Sequence, residues 1–233
     1  MLIKGFEKLS LLDFDDKLSA VIFYGGCNFK CPFCHNYDLV VNPNKGEDIA
    51  FEEIYSYLSK RKNILDAVVF TGGEPTLNKY LKEDIRRIKE LGYLIKLDTN
   101  GTNPEILKEL IDEGLINYVA MDIKNDLNEE DYSLTTGVIV PLDKVLESIR
   151  ILENSGIEYE FRTTLVKEFH NIDKIISLGN KLKGHVKKYR LQRFIDRGTC
   201  LVDNLHEVSL EEAKRYLEVL APLIENVALR GYE

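Results

Sequence analysis

Short apolar runs alternate with longer amphipathic stretches along most of this chain. Residues 18–24 form a continuous run of apolar and small side chains, which predicts a buried strand. Residues 50–62 place Phe51, Ile54 and Leu58 on one face, which predicts an amphipathic helix. The same alternation predicts further strands over residues 67–71, 94–98, 118–123, 159–164 and 188–194, and further helices over residues 79–91, 104–113, 142–155 and 172–182.

Near its end the chain carries one more predicted helix and a short strand. Ser209 as N-cap with Glu212 as its capping-box partner predicts a helix over residues 209–220, which Pro222 helps to end. Residues 227–230 predict a last short strand. We treat this segment, 209–230, as an addition to a core that spans about residues 18–194, within a single domain of residues 1–233.

Alternating strands and helices predict a parallel sheet with right-handed crossovers. Six strand–helix units are too few for a closed eight-fold barrel. The predicted fold is therefore α/β, an incomplete, open (β/α)6 TIM-like barrel with parallel strands.

A long loop follows the first predicted strand and extends through Asn42–Pro43–Asn44, and loops of that length in small domains are usually functional. It holds Cys27, Cys31 and Cys34 in a C-x3-C-x-φ-C arrangement, with Phe33 before the last cysteine. A [4Fe–4S] cube has four irons, so three thiolates leave one iron open to bind a substrate or cofactor.

Two other interpretations of the cysteines stay open. Structural zinc normally uses two paired ligand sets, whereas this chain has one triplet, and His35 is too close to Cys34 for an unstrained tetrahedron. Inert structural thiols rarely cluster in this way. Cys200 stands alone and is interpreted as a structural or incidental thiol; if it closed the cluster, the protein would be an iron–sulfur electron carrier.

Polar and glycine residues follow several predicted strands, where parallel α/β folds bind their ligands. Gly72 and Gly73 allow close backbone approach to a ligand, and Glu74 adds an acceptor. Asp98, Asp122 and Lys124 are individually ambiguous, since strand-end acids often cap helices and strand-end lysines are often exposed. Their shared level on one rim favours a functional site.

Composition and charge narrow the class of protein. Of 233 residues, 44% are hydrophobic and 30% charged, which is ordinary for a soluble globular protein. The net charge of −8 argues against non-specific binding to nucleic acid or acidic membranes. We find no membrane-spanning run or signal-peptide pattern, and the cysteine usage fits a reducing cytoplasm. A basic stretch over residues 181–193 is interpreted as solvated surface rather than a docking patch for an acidic electron donor.

The motifs resemble the radical S-adenosylmethionine (SAM) superfamily. The resemblance rests on the cysteine triplet with Phe33 and on Gly-Gly-Glu-Pro after the next strand, and it extends over residues 20–230. The stretches C-P-F-C-H-N-Y-D, K-L-D-T-N-G, M-D-I-K and E-F-R-T-T-L-V resemble the glycyl-radical-enzyme activases, first the type that activates anaerobic ribonucleoside-triphosphate reductase and next the pyruvate formate-lyase activases. A second cysteine cluster, as in activases with a ferredoxin-like insert, is missing from the sequence.

The resemblance implies the site residues. Cys27, Cys31 and Cys34 would bind three irons of one [4Fe–4S] cluster, and SAM would chelate the fourth iron. It implies a monovalent cation held by Asp98, Thr99 and Asp122. On the last core strand, Gln192 or Arg193 would replace a histidine that is frequent in the family. The implied SAM-binding residues are Phe33, His35, Gly72, Gly73, Glu74, Asp98, Asp122, Ile123, Lys124 and Gln192.

The implied reaction begins with reductive cleavage of SAM to methionine and a 5′-deoxyadenosyl radical, with no catalytic residue beyond the cluster–SAM centre. The radical would take hydrogen from a glycine of a partner, the large subunit of anaerobic ribonucleotide reductase, and reduced flavodoxin or ferredoxin would supply electrons. One alternative is a radical SAM enzyme acting on a small molecule or RNA, which would share every cofactor motif; the short chain favours the activase. The other alternative is the iron–sulfur electron carrier.

Overall fold

Eight strands form one sheet in the computed structural model of the chain, which describes residues 2–43, 45–184 and 186–232. Asn44, at the end of the predicted cysteine loop, lies outside the described residues. The strands are β1 Ile3–Ser10, β2 Ser19–Tyr24, β3 Ala67–Gly72, β4 Leu94–Thr99, β5 Tyr118–Asp122, β6 Glu158–Leu165, β7 Tyr189–Arg193 and β8 Val227–Arg230.

Eight α-helices in the described part of the chain connect or flank these strands. None of these described helices is long and apolar enough to cross a membrane. They are α1 Tyr37–Val41, α2 Phe51–Ser59, α3 Leu81–Glu90, α4 Pro104–Asp112, α5 Glu129–Thr136, α6 Leu142–Ser155, α7 Ile172–Leu182 and α8 Leu210–Leu220.

The strands lie in the sheet in chain order, from β1 to β8. Strands β2 to β8 pair in parallel, and β1 pairs antiparallel with β2. Because β1 and β8 are the two edges, the barrel is open. The predicted open parallel α/β barrel is confirmed for β2 to β7, and the predicted last strand is confirmed as β8.

Three elements were not predicted: β1, α1 and α5. Strand β1 mixes lysine and glutamate with apolar residues, and most of it is exposed or half-buried, so it carries no apolar run. Helix α1 has only five residues and buries none of them. Helix α5 is mostly polar; it begins at the Asn128 cap and ends at Gly137, whose φ of 69° suits glycine.

Apolar side chains fill the barrel interior at the amino ends of the strands. There Val21, Val69 and Tyr118 form a small buried cluster with Phe14, which comes from the turn between β1 and β2. The rings of Phe14 and Tyr118 lie 5.2 Å apart. A larger apolar core lies between the sheet and the helices. The carboxyl end of the interior is left for polar groups.

Candidate functional site

A cavity of about 240 Å³ lies at the carboxyl ends of the central strands. It is the place where the loop after β2, which contains the cysteines, meets the ends of β3 to β7. The residues predicted from the sequence that line it are Cys27, Cys31, Phe33, Cys34, His35, Gly72, Gly73, Glu74, Asp98, Thr99, Asp122, Lys124 and Gln192.

The cysteine loop is anchored by the aromatic residues that alternate with its thiols. Phe29 and Phe33 are only 3% and 4% exposed. The ring of Phe29 packs edge-on against Tyr132, and Phe33 packs against Phe169 and Phe194. With these two rings held in the core, the three cysteines line the cavity.

Burial sets the ionisation of the thiols. It raises the pKa of Cys27 to about 12 and that of Cys31 to about 11, and it also raises the pKa of Cys34. The nearby Lys124 ammonium acts in the opposite direction on all three thiols. The thiols are therefore protonated without metal, and binding of iron would displace their protons.

The cysteine geometry bears on the zinc alternative. Within residues 2–43, 45–184 and 186–232, no three His, Cys, Asp or Glu side chains come close enough to surround one metal ion. A zinc ion needs its ligands around a single point. A cube takes each cysteine on a different iron, so it accepts a wider set of thiols. The three thiols line one cavity, as a cube that takes each cysteine on a different iron requires.

The glycine pair after β3 presses directly on the start of the cysteine loop. A Cβ at Gly73 would lie 2.0 Å from the carbonyl oxygen of Gly26, and Gly72 has a φ of 120°. The Gly73 N–H donates to the Tyr24 oxygen at 2.8 Å. Any other residue at position 73 would push the chain away just before Cys27.

Glu74 is buried at the junction between β3 and β4. Its carboxylate accepts hydrogen bonds from the Thr76 N–H at 3.1 Å, the Thr99 hydroxyl at 2.8 Å and the Asn100 N–H at 2.7 Å. Burial raises the pKa of Glu74, against the lowering effect of these donors. Asn100 also directs its amide Nδ2 towards the Cys27 sulfur at 3.9 Å. Glu74 therefore fixes the rim on which the cysteine loop rests.

An ion network occupies the floor of the cavity. Arg162 lies between Asp98 and Asp122, at 3.3 and 2.9 Å, and the Lys124 ammonium lies 2.8 Å from Asp122. Burial alone would raise the pKa of Asp122, but the charges of Arg162 and Lys124 outweigh it and lower that pKa to about 2. Asp122 is therefore ionised, and Lys124, whose pKa is raised by Asp122 despite burial, is charged.

Three predicted residues take other positions than the resemblance implied. Ile123 is fully buried in the outer core and is not among the residues that line the cavity. Thr99 lines the cavity, but its hydroxyl donates to Glu74 rather than joining Asp98 and Asp122. Arg193 turns away from the cavity and bonds Glu207 at 2.5 Å. Of the two candidates on β7, Gln192 is the one that faces the cavity.

His35 and Cys200 lie at the outer edge of the cysteine loop. The His35 ring stacks on Phe194 at 5.6 Å, and its Nε2 is 2.7 Å from the Ile195 oxygen. Cys200 lines a neighbouring cavity with residues 35–39 and does not line the main one. Burial, Asp196 and Cys34 raise the pKa of Cys200, so this thiol lies beside the cysteine loop but outside the cavity that the three clustered cysteines share.

The basic stretch is divided among separate contacts. Lys181 pairs with Asp126 at 2.9 Å, and Lys188 donates to the Tyr118 hydroxyl at 3.3 Å. Arg193 pairs with Glu207. These three side chains therefore contact different partners.

The sequence analysis did not assign some of the residues that line the cavity. Arg162 is the most consequential of these. A charged side chain within the apolar pattern of the predicted strand 159–164 could have indicated it as a site residue. Asn100 followed Asp98 and Thr99 at a strand end. The others are Phe29, Asn36, Val40, Thr71 and Thr164.

Residues 21–178 match the family model described as the Radical SAM superfamily. The chain belongs to the radical SAM superfamily. The family implies a [4Fe–4S] cluster and SAM, and the donor set of this radical SAM protein fits both: three thiols share one cavity with charged groups of both signs.

Relatives of this radical SAM protein cover most of its length. A Methanocaldococcus jannaschii protein provisionally named a glycyl-radical enzyme activating enzyme is 37% identical over 196 residues, which are 83% of this chain and 80% of the relative. The pyruvate formate-lyase-activating enzyme of Clostridium pasteurianum is 26% identical over 228 residues, which are 94% of this chain and 91% of the relative.

Solved structures share the fold of this radical SAM protein. Streptococcus suis SuiB bound to S-adenosylmethionine superposes with a TM-score of 0.71 and 18% identity, over 91% of this chain and 50% of SuiB. The structure of anSMEcpe with bound AdoMet has a TM-score of 0.63 and 17% identity, over 89% of this chain and 62% of that chain. This chain therefore spans about half to two thirds of these structures.

Proposed function

We propose that this radical SAM protein is a glycyl-radical-enzyme activase. The observation that carries the proposal is the convergence of Cys27, Cys31 and Cys34 on one cavity with the glycine pair and Glu74. The relatives named as glycyl-radical and pyruvate formate-lyase activating enzymes, which it matches over most of their length, support this type over other radical SAM enzymes.

The three cysteines would hold three irons of one [4Fe–4S] cluster and leave the fourth without a protein ligand. When bound, the cluster would supply the electron that splits SAM into methionine and a 5′-deoxyadenosyl radical, which takes a hydrogen atom from glycine. The protein holds the reactants and excludes water from them. Phe29 and Phe33, anchored in the core, keep the cysteine loop in place for this task.

The other residues that line the cavity are suited to orient SAM. Lys124 places an ammonium beside the thiols, where it would attract the SAM carboxylate. Gln192 and His35 also border the cavity, where their polar groups would contact the adenine and ribose. These assignments follow the resemblance and the lining of the cavity together.

The proposed partner is the large subunit of anaerobic ribonucleotide reductase, and the proposed donor is reduced flavodoxin or ferredoxin. The motif set C-P-F-C-H-N-Y-D and K-L-D-T-N-G supports this partner. The activating enzymes named among its relatives also support a protein substrate that bears a glycine loop.

The first experiment tests the cofactor chemistry. The protein is reconstituted anaerobically with iron and sulfide, reduced and given SAM, and 5′-deoxyadenosine is measured. We expect product from the wild type, and a loss of at least about a hundredfold in each of Cys27→Ala, Cys31→Ala and Cys34→Ala, because the cluster loses a ligand. Cys200→Ala is the matched control and should keep its iron and activity.

The second experiment tests the partner. The reduced protein, SAM and the reductase large subunit are mixed, and an electron paramagnetic resonance spectrum is recorded for a glycyl radical. A doublet that disappears when the partner glycine is replaced by alanine would support the activase. Cleavage of SAM without a radical on the reductase would favour a different substrate. No cleavage by a fully loaded, reduced protein, with iron lost in Cys200→Ala, would favour the electron carrier.

A further inference from the structure

The two carboxylates of the ion network, Asp98 and Asp122, belong to neighbouring strands and share one guanidinium. Asp98 lies on β4, Asp122 ends β5, and Arg162 lies on β6. The Arg162 Nη1 is 3.3 Å from an Asp98 oxygen, and its Nε is 2.9 Å from an Asp122 oxygen. The Arg162 side chain is only 11% exposed. One buried guanidinium thus joins the carboxyl ends of three strands under the cavity.

The remaining carboxylate oxygens also face cationic nitrogens. The second oxygen of Asp98 is buried and lies 3.4 Å from the Lys96 ammonium, although it accepts no hydrogen bond from the described residues. The second oxygen of Asp122 lies 2.8 Å from the Lys124 ammonium. Two carboxylates therefore lie among three cations. Glu160, a further acid whose charge acts on Arg162, is itself bonded by Arg230 at 2.8 Å.

A monovalent metal ion does not fit this arrangement. Such an ion needs several oxygen ligands around one point and a local excess of negative charge. Here the immediate charges sum to an excess of one positive charge, and the guanidinium stands between the two carboxylates. The third expected ligand, the Thr99 hydroxyl, donates to Glu74 at 2.8 Å and accepts from the Gly101 N–H at 3.2 Å, so one of its oxygen lone pairs is already used.

We infer that Arg162 is the built-in cation of this site, a positioning residue that takes the place of a monovalent metal ion and holds Asp98 and Asp122 for SAM binding. The inference rests on the proposed function for the identity of the ligand. A guanidinium is permanently charged and bonds two acceptors through a fixed planar fork. It is also attached to the chain, so SAM binding does not depend on the potassium or sodium concentration.

The wild-type protein provides the first test, and this arm needs neither cluster nor turnover. Cluster-free protein is heated in potassium, sodium or tetramethylammonium chloride at equal ionic strength, since tetramethylammonium is too large for a metal site. We expect the same Tm in all three salts. A Tm higher by about 3 °C or more in potassium or sodium would show a metal site and overturn the inference.

The same salts are then compared for SAM affinity of the reconstituted, unreduced protein, where no cleavage occurs. We expect dissociation constants that agree within about twofold. An affinity at least about tenfold higher in potassium or sodium would overturn the inference. If SAM binds equally in all salts but is never cleaved after reduction, the proposed function fails and the role of Arg162 stands.

Variants separate positioning from general stability. Arg162→Ala leaves two buried carboxylates without their shared partner, so in tetramethylammonium SAM should bind about tenfold or more weakly. Potassium or millimolar guanidinium should restore part of this loss by entering the vacated space, and Arg162→Lys should lie between the two. Arg190→Ala is the matched control, since Arg190 bonds the Asn226 oxygen and does not line the cavity.

Two results with these variants would contradict the positioning role of Arg162. If Arg162→Ala binds SAM as the wild type does in tetramethylammonium, Arg162 has no positioning role. If neither potassium nor guanidinium restores SAM affinity in Arg162→Ala, while Arg190→Ala binds SAM as the wild type does, Arg162 has a purely structural role. Should Arg162→Ala fail to fold, the wild-type salt comparison and Arg162→Lys still decide the question.

Discussion

At the scale of single residues, the site depends on a position that has no side chain, Gly73. Gly73 lies against the carbonyl of Gly26, the residue before Cys27, and leaves no space for a side chain. The contact transmits the position of the β3 end to the cysteine loop. A methyl group there cannot be accommodated by a rotamer change, because the opposing atom belongs to the backbone.

We predict that Gly73→Ala reduces both stability and cluster loading. Overpacking of this kind costs about 1–3 kcal/mol in the free energy of unfolding, and here it displaces the loop that holds Cys27. The measurements are iron per protein after reconstitution and the midpoint of urea unfolding. Gly92→Ala is the control: its φ of 97° makes alanine unfavourable, but no atom lies within 4 Å of the new Cβ. Full iron content in Gly73→Ala, or an equal loss of iron in both variants, would contradict the prediction.

At the scale of elements, one buried carboxyl couples a helix to the sheet. Asp84 of α3 accepts a hydrogen bond of 2.7 Å from the Tyr24 hydroxyl on β2, and Tyr24 stacks on Phe70 of β3. Burial raises the pKa of Asp84 to about 6, and the bond from Tyr24 offsets this only in part. The folded state therefore binds the Asp84 proton more tightly than the unfolded state does.

The sign of the pH effect follows from that pKa. The contribution of Asp84 to stability is largest below the unfolded pKa of about 3.8 and is lost as the pH rises through 6. Asp84→Asn keeps an acceptor for Tyr24 and removes the charge. We predict that it stabilises the protein by about 2 kcal/mol at pH 8 and progressively less below pH 6.

Urea unfolding at several pH values measures this difference. Glu90→Gln, at the other end of the same helix and exposed, is the control and should change stability little at any pH. A gain in Asp84→Asn that does not vary with pH would show that ionisation of Asp84 is not its cause.

At the scale of the whole molecule, an apolar cluster fills one end of the barrel and the cavity with the three cysteines lies at the other. The turn between β1 and β2 inserts Phe14 at the amino ends of the strands, where it is 9% exposed. Lys96 lies 5.8 Å from the centre of the Phe14 ring and also ion-pairs with Asp98, so the closed end and the rim share one buried ammonium.

We predict that Phe14→Ala destabilises the fold by about 3 kcal/mol, because it leaves a cavity inside the barrel. Leu12→Ala, two residues earlier and 90% exposed in the wild type, should have an effect within about 0.5 kcal/mol. Differential scanning fluorimetry and urea unfolding measure both variants. Folded Phe14→Ala should retain SAM binding; an equal effect of the two substitutions would show that the turn does not support the barrel.

Much of this architecture was readable from the chain itself. The strand–helix alternation determined the open parallel α/β barrel, because burial of a strand or of one helix face leaves a local, periodic trace. The spacing of Cys27, Cys31 and Cys34 indicated the kind of cofactor, and the motif resemblance indicated the superfamily that the family match confirms. The residue-level SAM contacts and the partner stay predictions.

Only the tertiary structure decided which polar groups meet. It placed Arg162 between Asp98 and Asp122, directed Thr99 to Glu74 and put Gln192 rather than Arg193 on the cavity. These contacts join residues on different strands, so they depend on strand register and side-chain direction, which periodicity does not encode. The edge strand β1 was not predicted for a related reason. It has no apolar run of its own, and it joins the sheet through its antiparallel hydrogen bonds with β2.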